Sequence, residues 1–305
     1  MLPLIYHPNY SCDFPENHRF VMSKFVRLYD YVVSSGLVSH DNSNVFVPEK
    51  ASIQDLSLVH DKQYLTELAN NTMEPRAWRR IGLPWSEGLI ERTFTAPNGT
   101  LLAARLALKF GMSSHLAGGT HHAHKDFGSG FCLINDLAYT AVKLLDNKEV
   151  SSVLIFDCDV HQGDGTAAML KNIDGAFTCS IHCEKNFPFR KHKSNLDVGL
   201  DKHTEDDLYL QVVSSTLDSL LNKLSPDLVI YDAGVDIWQH DELGHLDITL
   251  QGMQNRDERV LTACLSRHIP VVTVIGGGYD KDHQRLAQRH GQVVEVASGL
   301  YHQFF

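Results

Sequence analysis

The chain has no long hydrophobic run and no excess of basic residues. No stretch approaches the ~18 consecutive apolar residues that a membrane-spanning helix needs. Lysine and arginine number 27 against 37 acidic residues, a formal charge of −10, so a general nucleic-acid-binding face is not expected. The first residues, MLPLIYHPNY, have neither the basic start nor the apolar length of a signal peptide. We therefore expect a cytoplasmic protein with no membrane span and no direct nucleic-acid binding.

Cysteine is also scarce, and no linker divides the chain. Of the six cysteines, Cys179 and Cys183 are close together, but no second pair completes a zinc ribbon. We interpret the six as small buried side chains in a reducing compartment. The sequence has no repeat, charge block or segment rich in Pro, Gly and Ser, which favours one domain over residues 1–305. Thr72–Glu87, which carries Trp and Arg, is interpreted as a packed surface loop.

What the sequence does contain is a series of short apolar runs separated by helical patterns. Continuous apolarity and β-branched residues predict strands that are covered on both faces, as in a parallel sheet. The predicted strands are Ser152–Asp157, Ala176–His182, Asp227–Asp232 and Pro270–Ile275. Apolar residues at three- and four-residue steps predict helices over Leu208–Leu224 and Thr249–Arg267. This alternation indicates a doubly wound α/β fold, in which ligands bind outside the carboxyl ends of the strands.

Carboxylates and an imidazole follow two of the predicted strands. Asp157, Asp159 and His161 are spaced two residues apart, so they share one side if the backbone stays extended. Two buried carboxylates this close together favour a bound cation. Asp236, beyond the next predicted strand, can supply a third ligand. One imidazole with carboxylate oxygens suits a divalent ion such as zinc, and three protein ligands leave a position open for water.

Two glycine-rich segments carry further reactive side chains. Gly118–His124 contains the adjacent histidines His121 and His122, which can act as ligands or as general acid–base groups. Gly276–Tyr279 reads GGGY, in which the glycines permit close approach and the phenol can donate to an oxyanion. Each signal is modest by itself, but four of them after strands or in glycine-rich loops indicate an active site.

These segments together resemble a known family. GGTHHAHKDFGSGFCLIND, DCDVHQGDG, DAGVDIWQHDELG and GGGYD, in this order, are similar to the arginase-like histone deacetylases over roughly residues 1–290. HQGDG, the DAGVDI cluster and the compact length resemble class IV deacetylases and their bacterial relatives most. The resemblance implies a three-layer α/β/α fold whose central, mostly parallel sheet has about eight strands. It also implies zinc-dependent hydrolysis of the amide bond of N-acylated lysine.

Site residues follow from the resemblance position by position. The implied ligands of one zinc ion are Asp159, His161 and Asp236. The implied catalytic residues are the proton-handling pair His121 and His122, their carboxylate partners Asp157 and Asp164, and Tyr279, which polarises the scissile carbonyl. The implied walls of the acyl-lysine channel are Gly130, Phe131 and, opposite them, Phe187. A structural potassium is implied near Asp157, Ser180 and Ile181.

Some features depart from the family pattern or leave the substrate open. Gln162 stands where many relatives have a histidine, a position that is not a ligand, and the additional His124 is interpreted as a loop residue. The acyl group can be acetyl or a long chain, and the substrate a peptide, a protein or a small acylated amine such as a polyamine. The candidate carboxylates for a polyamine gate are Glu16, Glu74 and Glu87. A non-catalytic acyl-lysine binder and a binuclear manganese hydrolase of the same fold also stay open.

Overall fold

One sheet organises the structure, a computed structural model that describes residues 1–305. Its strands are β1 Leu4–Ile5, β2 Val45–Phe46, β3 Met112–His115, β4 Val153–Asp157, β5 Ala176–Cys183, β6 Leu196–Leu200, β7 Leu228–Asp232 and β8 Val271–Val274. All neighbours pair in parallel, in the order β2-β1-β3-β8-β7-β4-β5-β6. The expected parallel sheet of about eight strands is therefore confirmed, as are the four strands that the apolar runs predict.

Ten helices cover this sheet. They are α1 Lys24–Ser34, α2 Ile53–Leu56, α3 Lys62–Ala69, α4 Pro75–Ile81, α5 Glu87–Phe110, α6 Asp136–Asp146, α7 Asp164–Leu170, α8 Asp206–Leu224, α9 Leu250–Leu265 and α10 His283–Phe304. The series α5, α6 and α7 packs together on one face, and α1, α10, α9 and α8 pack together on the other. The α/β/α layering is confirmed, and so are both predicted helices, α8 and α9. None of the ten combines the length and apolar character that crossing a bilayer requires.

A single hydrophobic core supports the prediction of one domain. It contains 81 buried residues drawn from both helical layers and from the strands. The cysteines are free; five are buried and Cys12 is partly buried. Their interpretation as small core side chains is thus confirmed for five of the six.

Two segments differ from the sequence predictions. The interpretation of Thr72–Glu87 as a loop is wrong over Pro75–Ile81, where α4 begins with a proline in its first turn and ends at Gly82 in the left-handed region, φ 79°. Strand β3, MSSH, has no apolar pattern, yet all four of its residues are buried. Its polar side chains are satisfied inside the protein; for example, His115 Nε2 lies 2.7 Å from the hydroxyl of Tyr10.

Candidate metal and catalytic centre

The candidate side chains gather at one edge of the sheet. The carboxyl ends of β3, β8, β7 and β4 lie side by side there, because these strands are parallel neighbours. In the sheet register, Asp157 at the end of β4 is the Cα partner of both Ser180 on β5 and Asp232 on β7. Parallel pairing therefore brings together residues that are far apart in sequence.

Asp159, His161 and Asp236 form a compact buried cluster, the metal trio. Their potential ligand atoms lie within 4.8 Å of one another. His161 Nδ1 is 3.1 Å from Asp159 Oδ1 and 3.1 Å from Asp236 Oδ2. The remaining carboxylate oxygens are held by backbone N–H groups: Val160 donates to Asp236 Oδ1 at 2.9 Å and Gly277 donates to Asp159 Oδ2 at 2.7 Å. The three side chains thus converge on one point in fixed orientations.

The electrostatics of the metal trio favour a positive charge at that point. Burial opposes protonation of His161, but hydrogen bonds to Asp159 and Asp236 raise its pKa to about 10. Burial and the charge of Asp159 raise the pKa of Asp236. A Cβ added at Gly277 would collide with both carboxylates, so only glycine leaves this space free. One nitrogen and several oxygen donors, fixed around a point that attracts positive charge, fit a divalent ion such as zinc.

The adjacent histidines are each oriented by a carboxylate. His121 Nδ1 lies 2.8 Å from Asp157 Oδ2, and His122 Nδ1 lies 2.6 Å from Asp164 Oδ1. The two Nε2 atoms are 3.1 Å apart, so both rings turn the same nitrogen toward each other. All four side chains are buried. This geometry matches the pairing that the resemblance implies.

The two histidines differ in charge. Burial opposes protonation of His121, but the charges of Asp157 and then Asp159 raise its pKa well above the usual range. Burial, followed by the charge of His121, lowers the pKa of His122 to about 4. At neutral pH the pair therefore contains one imidazolium and one neutral imidazole, a difference that is typical of an acid and a base in one site.

Asp232 joins His121 and Asp157 in a second cluster, the proton trio, with ligand atoms also within 4.8 Å. Asp232 Oδ2 lies 3.8 Å from His121 Nδ1, and neither carboxylate oxygen of Asp232 has a hydrogen-bond partner. Burial and the charge of Asp157 raise the pKa of Asp232 well above its usual range. Burial therefore favours the protonated, neutral form of this side chain.

Tyr279 lies beside these groups with its phenol protonated. Its side chain is buried, and its backbone N–H donates to Asp241 Oδ2 at 2.7 Å. Burial raises the pKa of the phenol well above its usual range. A protonated phenol is a hydrogen-bond donor, the form that stabilises an oxyanion.

Two cavities meet at the centre and share His122, Gly130, Phe131, His161 and Tyr279. The outer cavity opens to solvent, and its further lining residues include Arg80, Gly82, Asn186, Phe187, Glu242, Leu243 and His245. The inner cavity extends the other way, and its further lining residues include Phe20, Lys24, Phe25, Arg92, Gly118 and Gly276. A substrate that enters from solvent therefore crosses the outer cavity first.

Aromatic rings border the outer cavity. Phe187 lies edge-on to His122, with ring centroids 4.8 Å apart, and Phe131 lies 5.8 Å from Tyr279. Phe131 has φ 64°, a conformation that is uncommon for a bulky residue, and its N–H donates to Ile81 O at 2.8 Å. A Cβ at Gly130 would lie within 2.9 Å of both His122 and Phe187. The predicted channel residues Gly130 and Phe131 thus lie at the junction of the cavities, and Phe187 lines the outer cavity beside them.

Comparisons with known proteins identify the family of this chain. The sequence profile of the histone deacetylase domain matches residues 18–297. The chain belongs to the histone deacetylase family. It is 44% identical to an uncharacterized protein of Picosynechococcus sp., over 98% of this chain and 99% of that protein. It is 30% identical to histone deacetylase 2 of Arabidopsis thaliana, over 93% and 76% of the two chains. It is 29% identical to the acetoin utilization protein AcuC of Bacillus subtilis, over 90% and 77%.

Several residues of this histone deacetylase-family site were not singled out by the sequence. Asp136 accepts hydrogen bonds from Gly119 N at 3.1 Å and Thr120 N at 2.7 Å, which fixes the loop that leads to the histidines. Asn135 Nδ2 donates to Ala123 O at 3.0 Å on the other side of the pair. Both lie in GFCLIND, so the motif contained the signal. Lys24 and Arg92, which line the inner cavity, lie in no motif that the sequence analysis identified.

His124 and Gln162 lie around the site rather than in it. His124 Nε2 lies 2.9 Å from Asp164 Oδ2, so one carboxylate orients two histidines. The loop assignment of His124 is right, but its ring also contacts the carboxylate that orients His122. Gln162 Nε2 donates to Asp197 Oδ1 at 2.7 Å and is not part of the metal trio.

The potassium and polyamine predictions have different outcomes. Asp157 and Ser180 are sheet partners and Ile181 follows, but both Asp157 oxygens already accept hydrogen bonds, from His121 and from Asp159 N. The potassium site stays a prediction. None of Glu16, Glu74 and Glu87 borders the outer cavity, whereas Glu242 does. The polyamine-gate candidates are therefore wrong in position.

Proposed function

We propose that the chain hydrolyses the amide bond of Nε-acylated lysine with the help of one zinc ion held by Asp159, His161 and Asp236. The observation that carries this proposal is the convergence of the metal trio, the histidine pair and Tyr279 at the junction of two cavities. When bound, zinc supplies a Lewis acid that polarises the carbonyl and makes water more acidic. The family membership supports a deacetylase hydrolase.

Proton transfer would fall to the two histidines. His122 is neutral at neutral pH and can accept a proton from the attacking water, with Asp164 stabilising the imidazolium that results. His121, held protonated by Asp157, keeps a positive charge beside the developing negative charge. Once protonated, His122 can return its proton to the departing lysine amine.

Tyr279 would stabilise the oxyanion. Because its phenol stays protonated, it can donate a hydrogen bond to the carbonyl oxygen as negative charge develops. Asp241 fixes the backbone N–H of Tyr279, so the segment after the three glycines is anchored. The aromatic walls, Phe131 and Phe187, would hold the apolar methylenes of the lysine side chain and exclude water.

A small acylated amine is the second candidate substrate, favoured by Glu242. This carboxylate borders the outer cavity and pairs only at 3.9 Å with Lys281, whose side chain is almost fully exposed. A second amine on the substrate could replace Lys281 as the partner of Glu242. We also keep as predictions the likeness to class IV and the cytoplasmic location.

A substrate panel on the zinc-loaded protein tests these proposals. We expect hydrolysis of acyl-lysine peptides to exceed that of acetylated polyamines. Faster polyamine turnover, reduced by Glu242→Gln, would make the small amine the substrate. Binding of acyl-lysine peptides without any hydrolysis would instead show a non-catalytic binder.

A further inference from the structure

The inner cavity ends at two buried cations. Lys24 on α1 is 3% exposed and Arg92 on α5 is 4% exposed. Lys24 Nζ donates to the carbonyl of Gly276 at 3.4 Å, and Arg92 Nε donates to the carbonyl of Tyr10 at 3.0 Å. Both side chains line the cavity that contains the catalytic histidines.

Neither cation has a carboxylate within ion-pair distance. Their other close neighbours are aromatic: Lys24 Nζ lies 5.4 Å from the ring centroids of Phe20 and Phe25, and the Arg92 guanidinium lies 4.3 Å from that of Phe25. Such cation–π contacts recover less than the burial of a charge costs. Burial and the charge of Arg92 lower the pKa of Lys24 to about 8, so it remains charged at neutral pH.

The nearby carboxylates do not balance these charges. Asp159 and Asp236 are assigned to the metal ion, and Asp241 accepts hydrogen bonds from Leu243 N, Gly244 N and Tyr279 N. An anion from outside the protein is the partner that would pair with two cations in a water-poor cavity.

The size of the inner cavity limits what that anion can be. Its volume is about 40 Å³, against about 370 Å³ for the outer cavity. That is space for roughly three water-sized groups. A fatty chain would not fit without displacing Phe20 or Phe25, and it would press methylenes against two charges. A methylene that carries a carboxylate matches both the size and the charge.

We propose that Lys24 and Arg92 form a carboxylate subsite for the acyl group, so that the site prefers short acyl chains ending in a carboxylate, such as malonyl. The inference rests on the proposed function, because it places the acyl group in the inner cavity and the lysine in the outer one. The subsite selects the substrate and leaves the hydrolytic step unchanged.

Malonyl-lysine and isovaleryl-lysine peptides test the subsite, because the two acyl groups have the same shape and differ in charge. With the zinc-loaded full chain, we expect kcat/KM to be about 10-fold or more higher for the malonyl peptide, as for a hydrogen bond to a charged group. Lys24→Met should abolish this preference, so that the ratio of the two kcat/KM values falls to about one, and Lys24→Arg should keep it. If Lys24→Met does not fold, Arg92→Met tests the same subsite.

Lys109→Met is the matched control, because this lysine also lies over a phenylalanine ring, Phe110 at 4.9 Å, but on the surface. It should leave the preference intact. Equal rates on the two peptides, unchanged by Lys24→Met, would overturn the subsite while leaving the proposed function intact.

If no peptide is hydrolysed, the proposed function fails. Calorimetric binding of the two peptides to the same protein then decides the subsite: tighter binding of the malonyl peptide, lost in Lys24→Met, supports it, and equal binding overturns it.

Discussion

The metal trio and the proton trio are built from the same residue types, yet the structure gives them different surroundings. Each has two aspartates and one histidine, buried beyond the carboxyl ends of β3, β4 and β7, with ligand atoms within 4.8 Å. In the metal trio, His161 lies between both carboxylates and borders the cavities. In the proton trio, His121 is bound by Asp157 alone and turns its Nε2 to His122.

Access and hydrogen bonding account for the difference. Asp159 and His161 line the inner cavity, whereas Asp157 and Asp232 line neither cavity. One Asp157 oxygen is bound to His121 and the other to the backbone of Asp159. Composition and spacing alone therefore do not distinguish the two trios; the path to solvent does, because His161 lines both cavities. This difference leads to four predictions, which begin with the largest expected effect.

Asp236→Ala should abolish zinc binding, because it removes one of the three protein ligands that a catalytic zinc ion requires. Activity on an acetyl-lysine peptide should fall by at least about 10³, more than the loss of one oxyanion donor. Metal analysis and turnover measure the two effects, and the exposed Asp174→Ala is the control. Full zinc occupancy in Asp236→Ala would contradict the assignment of the metal trio.

His122→Ala should keep zinc and lower kcat by roughly 10²–10⁴, the range for loss of a general acid–base group. The exposed His302→Ala should have no effect. Loss of zinc in His122→Ala would show that this histidine is a ligand, and the two trios would then no longer be functionally separate.

Tyr279→Phe should lower kcat by about 10²–10³ with zinc content unchanged, because it removes a single oxyanion donor. Tyr301→Phe, near the end of α10, serves as the control. A Tyr279→Phe protein with wild-type turnover would mean that another group stabilises the oxyanion.

Asp232→Asn should have the smallest effect. We expect full zinc content and a change in kcat of less than about 10-fold, well below the loss that follows removal of a general base. Burial favours the neutral form of Asp232, and asparagine keeps its shape without a charge. A fall beyond this range, or loss of metal, would show that the proton trio takes part in metal binding or catalysis.

The sequence predicted the parts of this molecule that depend on local pattern. The runs ending at Asp157 and Asp232 are buried strands, and the motif order identified the family. Parallel strands gather their carboxyl ends at one edge, so the convergence of Asp159, His161 and Asp236 also followed. The roles of these side chains stay predictions until they are measured.

Other features depend on tertiary contacts and could not be predicted. The polar strand β3 is buried because partners such as Tyr10 and Thr100 satisfy His115. Lys24 and Arg92 come from two helices and meet only when both pack beside the inner cavity. Glu242 reaches the rim of the outer cavity through the loop after β7. No spacing pattern in the sequence predicts contacts between residues of separate helices and loops.

Zinc titration of the metal-depleted protein tests the central claim most directly, with hydrolysis of an acetyl-lysine peptide as the readout. Activity should rise linearly and saturate at one zinc per chain, because only the metal trio reaches the outer cavity, through His161. Saturation at two ions per chain, or full activity without added metal, would contradict the account.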